Sequence, residues 1–368
     1  MEWSYIGKPF LIKKLSNHLN DIESGIEMSE KKVRFAKVSD DNASEMIPRL
    51  ISKGIADPSA KITKNEKERF VPIFAELEDE VSSMGLEVID GEAFRRETRT
   101  PQARIKERLA HLPSDIREQL PMRWEFIGDI VMIKYGDHFR PYAKDIGEAY
   151  AKELNVNTVC GDIAGVIGEL REPTTEILYG SKAESVRLEN GIRYKFDVTK
   201  IMFASGNIDE RNRMRHLDCK DETVVDMFAG IGYFTLPIAK FANAKKVIAC
   251  EKNPESFSYL CENIRLNDLD NVEPILSDNR DLNVKNADRI IMGYVQTTSE
   301  FLYKAKEMIK HGGMIHYHDT FYVNEYKERI DEIFSKTFGQ NGYNIQRIKE
   351  VKSFAPSVSH YVADVKIF

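Results

Sequence analysis

The 368-residue sequence predicts an α/β chain in which a Rossmann-like parallel sheet with an antiparallel C-terminal hairpin follows two small α+β domains. Three observations lead to this fold class. Apolar strands alternate with helical segments from residue 222 onward, which is typical of a parallel sheet covered by helices. Two further strands, at 345–351 and 360–367, are joined by a short loop that contains Pro356. Shorter helical and strand segments precede them, between residues 31 and 203.

The composition is that of a globular protein, with 42% hydrophobic and 30% charged residues. No run of about 18 apolar residues predicts a membrane span, and the charged first thirty residues lack the apolar core of a signal peptide, so we expect a cytoplasmic protein. The four cysteines form no C-x-x-C pair, so neither zinc nor a disulfide framework is indicated. The net charge of −6 predicts no bulk attraction to nucleic acid but leaves room for a local basic face.

The pattern predicts four parts: 1–90, a small N-terminal α/β domain with an N-terminal extension; 91–123, a basic helical linker; 124–200, an α+β domain; and 201–368, the catalytic domain. The first part has strands at 33–38 and 70–73 around a helix at 40–53, after a helical extension in residues 1–30. The third part opens with strand-like residues 126–133, and a helix at 141–154 follows.

The predicted linker carries eight basic residues against five acidic ones. The basic residues are Arg95, Arg96, Arg99, Arg104, Lys106, Arg108, Arg117 and Arg123. Such a stretch is either a solvated helical face or a contact surface for an RNA backbone, and the sequence leaves both open.

The catalytic domain has five predicted strands before the final hairpin, at 224–228, 246–250, 272–276, 289–292 and 314–317. An antiparallel pair that closes such a parallel sheet is typical of the class I methyltransferase fold.

The best-defined motif, DMFAGIGYFT at 226–235, runs from the first strand through a glycine turn into a helix at 236–241. Glycine lets a backbone approach a ligand that a Cβ would push away, and open α/β sheets bind ligands at this edge. A third glycine at the dinucleotide spacing would fall at Thr235, which argues against NAD and its pyrophosphate. Alone, the motif is also compatible with a tight turn that binds nothing.

Carboxylates at the ends of the next two strands make this motif more specific. Glu251 ends the second strand, where a carboxylate accepts two hydrogen bonds from a ribose diol. Asp278 and Asn279 end the third, where they can accept from the adenine amino group and donate to a ring nitrogen. Ribose and adenine without pyrophosphate indicate S-adenosylmethionine. Taken alone, Glu251 is equally compatible with the start of a helix.

Together with NIDER at 207–211 and IMGYV at 291–295, these residues resemble a family of two tRNA enzymes that act at or beside nucleotide 37. One is the tRNA guanine-37 N1-methyltransferase, and the other is the wybutosine-pathway 3-amino-3-carboxypropyltransferase. The likeness covers roughly residues 124–368, while residues 31–75 resemble the small N-terminal domain of the methyltransferase branch. It implies S-adenosylmethionine as cofactor, the anticodon loop of tRNA at position 37 as partner, and tRNA docking by residues 124–200. The expected cofactor-binding residues are Arg211, Phe228, Ala229, Gly230, Glu251, Lys252, Asp278, Asn279 and Gly293.

Two departures favour the aminocarboxypropyltransferase branch. The methyltransferase carries Asn-Leu-Pro or Asn-Pro-Pro where this chain reads Gly293-Tyr294-Val295, and a Pro-Arg pair where it reads Ala204-Ser205-Gly206-Asn207. The resemblance thus implies transfer of the 3-amino-3-carboxypropyl group to a side-ring carbon of 4-demethylwyosine, with 5′-methylthioadenosine leaving. The alternatives are the guanine-37 methyltransferase, and a cofactor-binding protein that is non-catalytic or acts on protein or a small molecule.

The catalytic candidates are His318, Tyr294 and Asn207. Tyr294 and Asn207 lie in the two departures, which should line the space between the sulfonium and the target base. His316 and His318 alternate on the fifth strand and share a face. An H-x-H pair can bind metal, but no third ligand is evident and we expect none. Burial is the main alternative to an acid–base role for His318. We expect a monomer that does not associate with membranes.

Overall fold

The computed structural model describes residues 31–368 except 66, 94–99, 169–170 and 204. The helical extension expected in residues 1–30 therefore lies outside the described residues, as do Arg95, Arg96, Arg99 and Ala204. The chain divides into two compact units, residues 1–100 and 101–368, instead of the four parts expected from the sequence. No helix among the described residues is both long enough and apolar enough to cross a membrane.

The first unit contains a four-stranded antiparallel sheet. Its strands are β1 (Lys31–Ser39), β2 (Thr63–Lys64), β3 (Glu68–Ile73) and β4 (Glu87–Ala93), in the order β2–β3–β1–β4. The helix expected at 40–53 forms as a 3-10 turn followed by α1 (Ala43–Ser52), and α2 is Glu78–Ser83. Gly54 adopts a φ of +70° just after α1, where the chain turns toward the buried Ile55. Leu50, Val71 and Val81 complete the core with it.

The second unit begins with a domain whose helices and strands share one core. Its elements are α3 (Pro101–Arg108), α4 (Ser114–Gln119), β5 (Trp124–Ile127), β6 (Ile130–Lys134), α5 (Ala143–Leu154), β7 (Thr158–Ile167) and β8 (Glu172–Tyr179). Ile105 of α3 and Ile116 of α4 are buried in the cluster that also contains Ile146 and Tyr150 of α5. The predicted linker is therefore wrong for residues 101–123, because their apolar side chains fill this core. The strand-like segment 126–133 is a hairpin, since Gly128 turns the chain at a φ of +57°.

A two-stranded hairpin connects this domain to the last one. It consists of β9 (Glu184–Glu189) and β10 (Ile192–Asp197), and it packs on the helix α8 (Pro254–Leu266). The side chains of Asn263 and Asn267 on α8 hydrogen-bond the backbone of Lys195 and Arg193. Paired backbone groups of this kind hold the hairpin at the edge of the catalytic domain.

The last domain is a seven-stranded sheet. Its strands are β11 (Thr223–Asp226), β12 (Lys246–Glu251), β13 (Val272–Leu276), β14 (Ala287–Met292), β15 (Ile309–Tyr322), β16 (Tyr343–Ala355) and β17 (Val358–Ile367). The order is β13–β12–β11–β14–β15–β17–β16, with β11 to β15 parallel and β17 antiparallel to both neighbours. The other helices are α6 (Ile208–Met214), α7 (Thr235–Phe241), α9 (Leu302–Met308) and α10 (Tyr326–Phe338). This confirms the predicted parallel sheet and its closing hairpin, and the strand order reverses between the parallel neighbours β11 and β14.

Candidate active site

A pocket of about 450 Å³ lies at the carboxyl ends of β11 to β14, at the point where the strand order reverses. Small-molecule pockets in proteins have this size and this place in open α/β sheets. Every predicted cofactor-binding residue except Ala229 lines it, and so do Tyr294 and Asn207. Ala229 is buried behind the glycine turn, and its backbone N–H donates to the carbonyl of Cys250.

The buried carboxylate of Asp226 stabilises the glycine turn. Asp226 is fully buried, and it accepts from the Thr235 hydroxyl at 2.8 Å and from the Phe228 N–H at 3.2 Å. Burial raises the pKa of Asp226 to about 6. Gly230 has a φ of +57°, and a Cβ there would lie 2.6 Å from the Tyr233 ring. The turn therefore requires glycine at this position.

Glu251 presents its carboxylate to the pocket from the end of β12. Its Oε2 accepts from the Gly230 N–H and its Oε1 from the Asn253 N–H, both at 2.7 Å. Burial raises the pKa of Glu251, while these backbone hydrogen bonds oppose that shift. A carboxylate has about four acceptor sites, so each oxygen keeps capacity for a ribose hydroxyl. The expected diol contact fits this geometry.

The carboxylate of Asp278 has cationic partners within the chain that the sequence does not indicate. Its two oxygens accept from the Arg280 guanidinium at 2.8 and 2.6 Å, and Lys252 lies at 3.3 Å. These cations hold the pKa of Asp278 well below its usual range. Asn279 donates its amide to the Met227 carbonyl, and its Oδ1 is buried with no partner among the described residues. Asn279 therefore offers a ligand an acceptor, whereas the sequence predicts a donor at this position.

Three aromatic rings cover one side of the pocket. Phe228 and Tyr294 stack with centroids 5.0 Å apart, and Phe301 meets Phe228 edge-on at 5.1 Å. Gly293 lies beside them, and a Cβ there would come within 2.7 Å of the Phe234 ring. An asparagine at position 293, as in the methyltransferase pattern, would require Phe234 to move.

The opposite wall comes from the closing hairpin and from the turn before α6. Lys352 of β16 and His360 of β17 are cross-strand partners, and both line the pocket. A Cβ on Gly206 would lie 2.9 Å from Cδ of Lys352, so the lysine stem occupies the space beside this glycine. Asn207 follows in the same turn, and its Oδ1 is buried without a partner among the described residues.

His318 does not face the pocket, contrary to its expected acid–base role. It is 1% exposed, its ring stacks on Phe234 at 5.2 Å, and its Nδ1 lies 3.1 Å from Nε2 of His360. Burial lowers the pKa of both histidines from 6.5 to about 3. His316 instead contacts Arg289 and Asp364, so the two histidines of the H-x-H pair have separate partners. No group of three potential metal ligands occurs among the described residues.

Sequence reasoning missed His360 because it lies 42 residues after His318, on the antiparallel partner strand. A period-two pattern relates neighbours along one strand and cannot show which residues face each other across two strands. The pocket-facing imidazole is therefore a product of strand pairing.

Arg211 contributes to the pocket wall from α6. Its guanidinium is 2% exposed, pairs with Glu189 at 2.6 Å and lies over the Phe203 ring at 4.6 Å. Arg213 instead pairs with Glu210 and Asp364. The alternating arginines thus point to different partners, as their spacing on a helix predicts.

Comparisons with known proteins identify the family that this chain resembles. Residues 105–183 match the TYW2 N-terminal domain, and residues 185–345 match the TRM5/TYW2 methyltransferase domain. The tRNA(Phe) (4-demethylwyosine(37)-C(7)) aminocarboxypropyltransferase of Methanocaldococcus jannaschii is 44% identical over 67% of this chain and 98% of that protein.

Two solved structures resemble most of this chain. The crystal structure of Pyrococcus horikoshii TYW2 in complex with MeSAdo has a TM-score of 0.65 at 42% identity, covering 73% of this chain and 99% of that one. Trm5b from Pyrococcus abyssi has a TM-score of 0.67 at 32% identity, covering 91% of this chain and 99% of that one.

Proposed function

Because this chain belongs to the TRM5/TYW2 family, we propose that it transfers the 3-amino-3-carboxypropyl group of S-adenosylmethionine to 4-demethylwyosine at position 37 of tRNA. The observation that carries the branch assignment is the 44% identity to an aminocarboxypropyltransferase over 98% of that enzyme. The packing agrees with it, because Phe234 and Lys352 occupy the space beside Gly293 and Gly206.

The pocket fits S-adenosylmethionine by its unfilled hydrogen-bonding capacity. Glu251 has acceptor sites left for the ribose diol, and the buried Oδ1 of Asn279 has no partner in the described chain. An unpaired buried acceptor is costly, and a donor from adenine would satisfy it. When bound, S-adenosylmethionine supplies a carbon activated by the adjacent positively charged sulfur.

His360, rather than the candidate His318, takes the acid–base role. Forming a carbon–carbon bond at a ring carbon of the base requires that carbon to lose its proton. His360 lines the pocket, and its lowered pKa of about 3 keeps the imidazole unprotonated at neutral pH, so it can accept the proton from the strongly acidic cationic ring that carbon–carbon bond formation leaves. His318 acts behind it as a positioning residue through the 3.1 Å contact between the rings.

Tyr294 and Asn207 complete the wall around the reacting atoms. Tyr294 stacks on Phe228 and presents an aromatic surface on which a tricyclic base could lie. We propose that Asn207 contacts the cofactor chain, because it lies beside Lys352 at the other end of the pocket.

The substrate is tRNA, and we propose that the enzyme acts in the cytoplasm on the anticodon loop. Docking of tRNA by the domain that precedes the sheet is part of this proposal. Two of the basic residues expected to contribute, Arg104 and Arg108, pair with Glu153 and stabilise the packing of α3 on α5. Lys106 and Arg123 are exposed and are better placed to meet phosphates.

Label transfer tests the reaction directly. S-adenosylmethionine labelled in the aminocarboxypropyl chain should label tRNA that carries 4-demethylwyosine, whereas methyl-labelled cofactor should not. Unmodified tRNA should accept neither label efficiently. Nucleoside mass spectrometry would identify the product.

The guanine-37 N1-methyltransferase is the second candidate, for one specific reason. The resemblance to Trm5b covers 91% of this chain, while the resemblance to P. horikoshii TYW2 covers 73%. Methyl label in the position-37 guanine of an unmodified transcript would favour this candidate and contradict the proposed reaction.

A further inference from the structure

The cations that line the pocket fall into two groups. Four of them are paired with acids: Lys200 with Glu255, Lys252 and Arg280 with Asp278, and Arg211 with Glu189. The other two, Arg171 and Lys352, have no acidic partner among the described residues. Both side chains are half-buried. Arg171, in the turn before β8, and Lys352, on the closing hairpin, therefore give this wall of the pocket an excess of positive charge.

The excess of positive charge in this wall is energetically unfavourable. Burial lowers the pKa of Lys352, and the charges of Arg171 and Arg211 lower it further. Like charges in a partly desolvated site destabilise each other unless an anion joins them. The same wall thus has the electrostatics of an anion-binding site.

The buried amide oxygen of Asn207 indicates which kind of anion the site would bind. Asn207 lies next to Gly206, which the Lys352 stem overlies, and its buried Oδ1 has no partner in the described chain. Cations for a carboxylate and an acceptor for an ammonium are the two groups that recognise an α-amino acid. A phosphate of the RNA backbone would use the cations and leave the acceptor unsatisfied.

We propose that Lys352, Arg171 and Asn207 bind the α-amino-acid end of S-adenosylmethionine, with the carboxylate on the two cations and the ammonium on Asn207. The assignment rests on the proposed function, since it presumes this cofactor in the pocket. Glu251 and Asn279 would hold the adenosine end on the other side of the same pocket. Anchoring both ends determines which carbon attached to the sulfur faces the base.

Calorimetry with three ligands tests the site without measuring activity. S-adenosylmethionine has the carboxylate and the amine, its decarboxylated form lacks only the carboxylate, and 5′-methylthioadenosine lacks the whole amino-acid end. In the full chain, Lys352→Met should weaken S-adenosylmethionine binding by about 10- to 100-fold, the loss expected for a charge-assisted hydrogen bond. Its affinity for the other two ligands should equal that of the unaltered protein.

Lys349→Met is the matched control, because Lys349 is exposed on the same strand. It should change none of the three affinities. Equal weakening of 5′-methylthioadenosine by Lys352→Met would overturn the proposal, since it would indicate general damage to the pocket. Unchanged S-adenosylmethionine affinity with weaker, salt-sensitive tRNA binding would also overturn it and assign Lys352 to a phosphate. If the unaltered protein bound none of the ligands, the proposed function itself would fail.

Discussion

The two ends of the pocket differ in whether their charged side chains have partners within the described chain. At the adenosine end, Glu251 and Asp278 have their charges matched by backbone N–H groups and by cations before any ligand binds. At the hairpin end, Arg171 and Lys352 are unpaired in the described chain, and His360 is buried and neutral. This difference supports the proposal that one end binds a neutral nucleoside. The other is left for a ligand and a reaction to complete.

The largest expected effect separates chemistry from binding. His360→Gln should lower kcat by about 10²–10⁴, the usual contribution of a general base, because the proton of the reacting carbon loses its acceptor. Cofactor affinity should stay unchanged. A primary isotope effect should appear with a base deuterated at that carbon, because proton removal becomes rate-limiting.

Rapid-quench assays at saturating cofactor would measure kcat and the isotope effect. His311→Gln, at an exposed position, is the control and should behave as the unaltered enzyme. Full turnover in His360→Gln, or a loss explained by weaker cofactor binding alone, would remove the distinction between a binding end and a reacting end.

The next effect concerns the adenosine end. Glu251→Ala should weaken S-adenosylmethionine and 5′-methylthioadenosine equally, by about 1.5–3 kcal/mol, because both share the ribose. This pattern is the reverse of that expected for Lys352→Met. Calorimetry with the two ligands would measure it, and a selective loss of S-adenosylmethionine binding would show that the ends are assigned the wrong way round.

The last effect is on stability, and just below pH 6.5 it is the smallest because the histidines of the unfolded chain are only partly protonated there. The pKa of His318 and of His360 is lowered from 6.5 to about 3, so above pH 6.5 neither histidine binds a proton in the folded or the unfolded chain. Between these values only the unfolded chain is protonated. The free energy of unfolding should therefore fall with decreasing pH, by up to about 1.4 kcal/mol per pH unit for each histidine.

Urea denaturation at a series of pH values below 6.5 would measure this slope. His360→Gln should remove about one histidine's share of it. An identical slope in the variant would mean that His360 takes up its proton in the folded state.

The two positions that distinguish the branches of the family are explained by packing. The sequence shows Gly293 and Gly206 as departures from a motif, and the structure shows which side chain lies beside each glycine. Phe234 occupies the space beside Gly293, and the Lys352 stem occupies the space beside Gly206. Replacing Gly293 by asparagine would therefore bring its Cβ within 2.7 Å of the Phe234 ring.

The sequence by itself determined the parallel sheet, its closing hairpin and the residues that line one end of the pocket. Strand and helix periods are local properties of the chain, and parallel strands bring their carboxyl ends to one edge. Residues that directly follow a predicted strand, such as Glu251 and Asp278, can therefore be located without coordinates. The hydrogen-bonding direction of Asn279 could not, because it depends on the carbonyl of Met227, which follows β11.

Only the tertiary structure decided the hairpin end. Cross-strand pairing brings Lys352 and His360 together and sets His318 behind His360. Likewise, the burial of Ile105 and Ile116 against α5 makes residues 101–123 part of a domain core rather than a linker. These relations join residues that are far apart in the chain. They follow from register and packing between elements, which no periodic pattern within one element specifies.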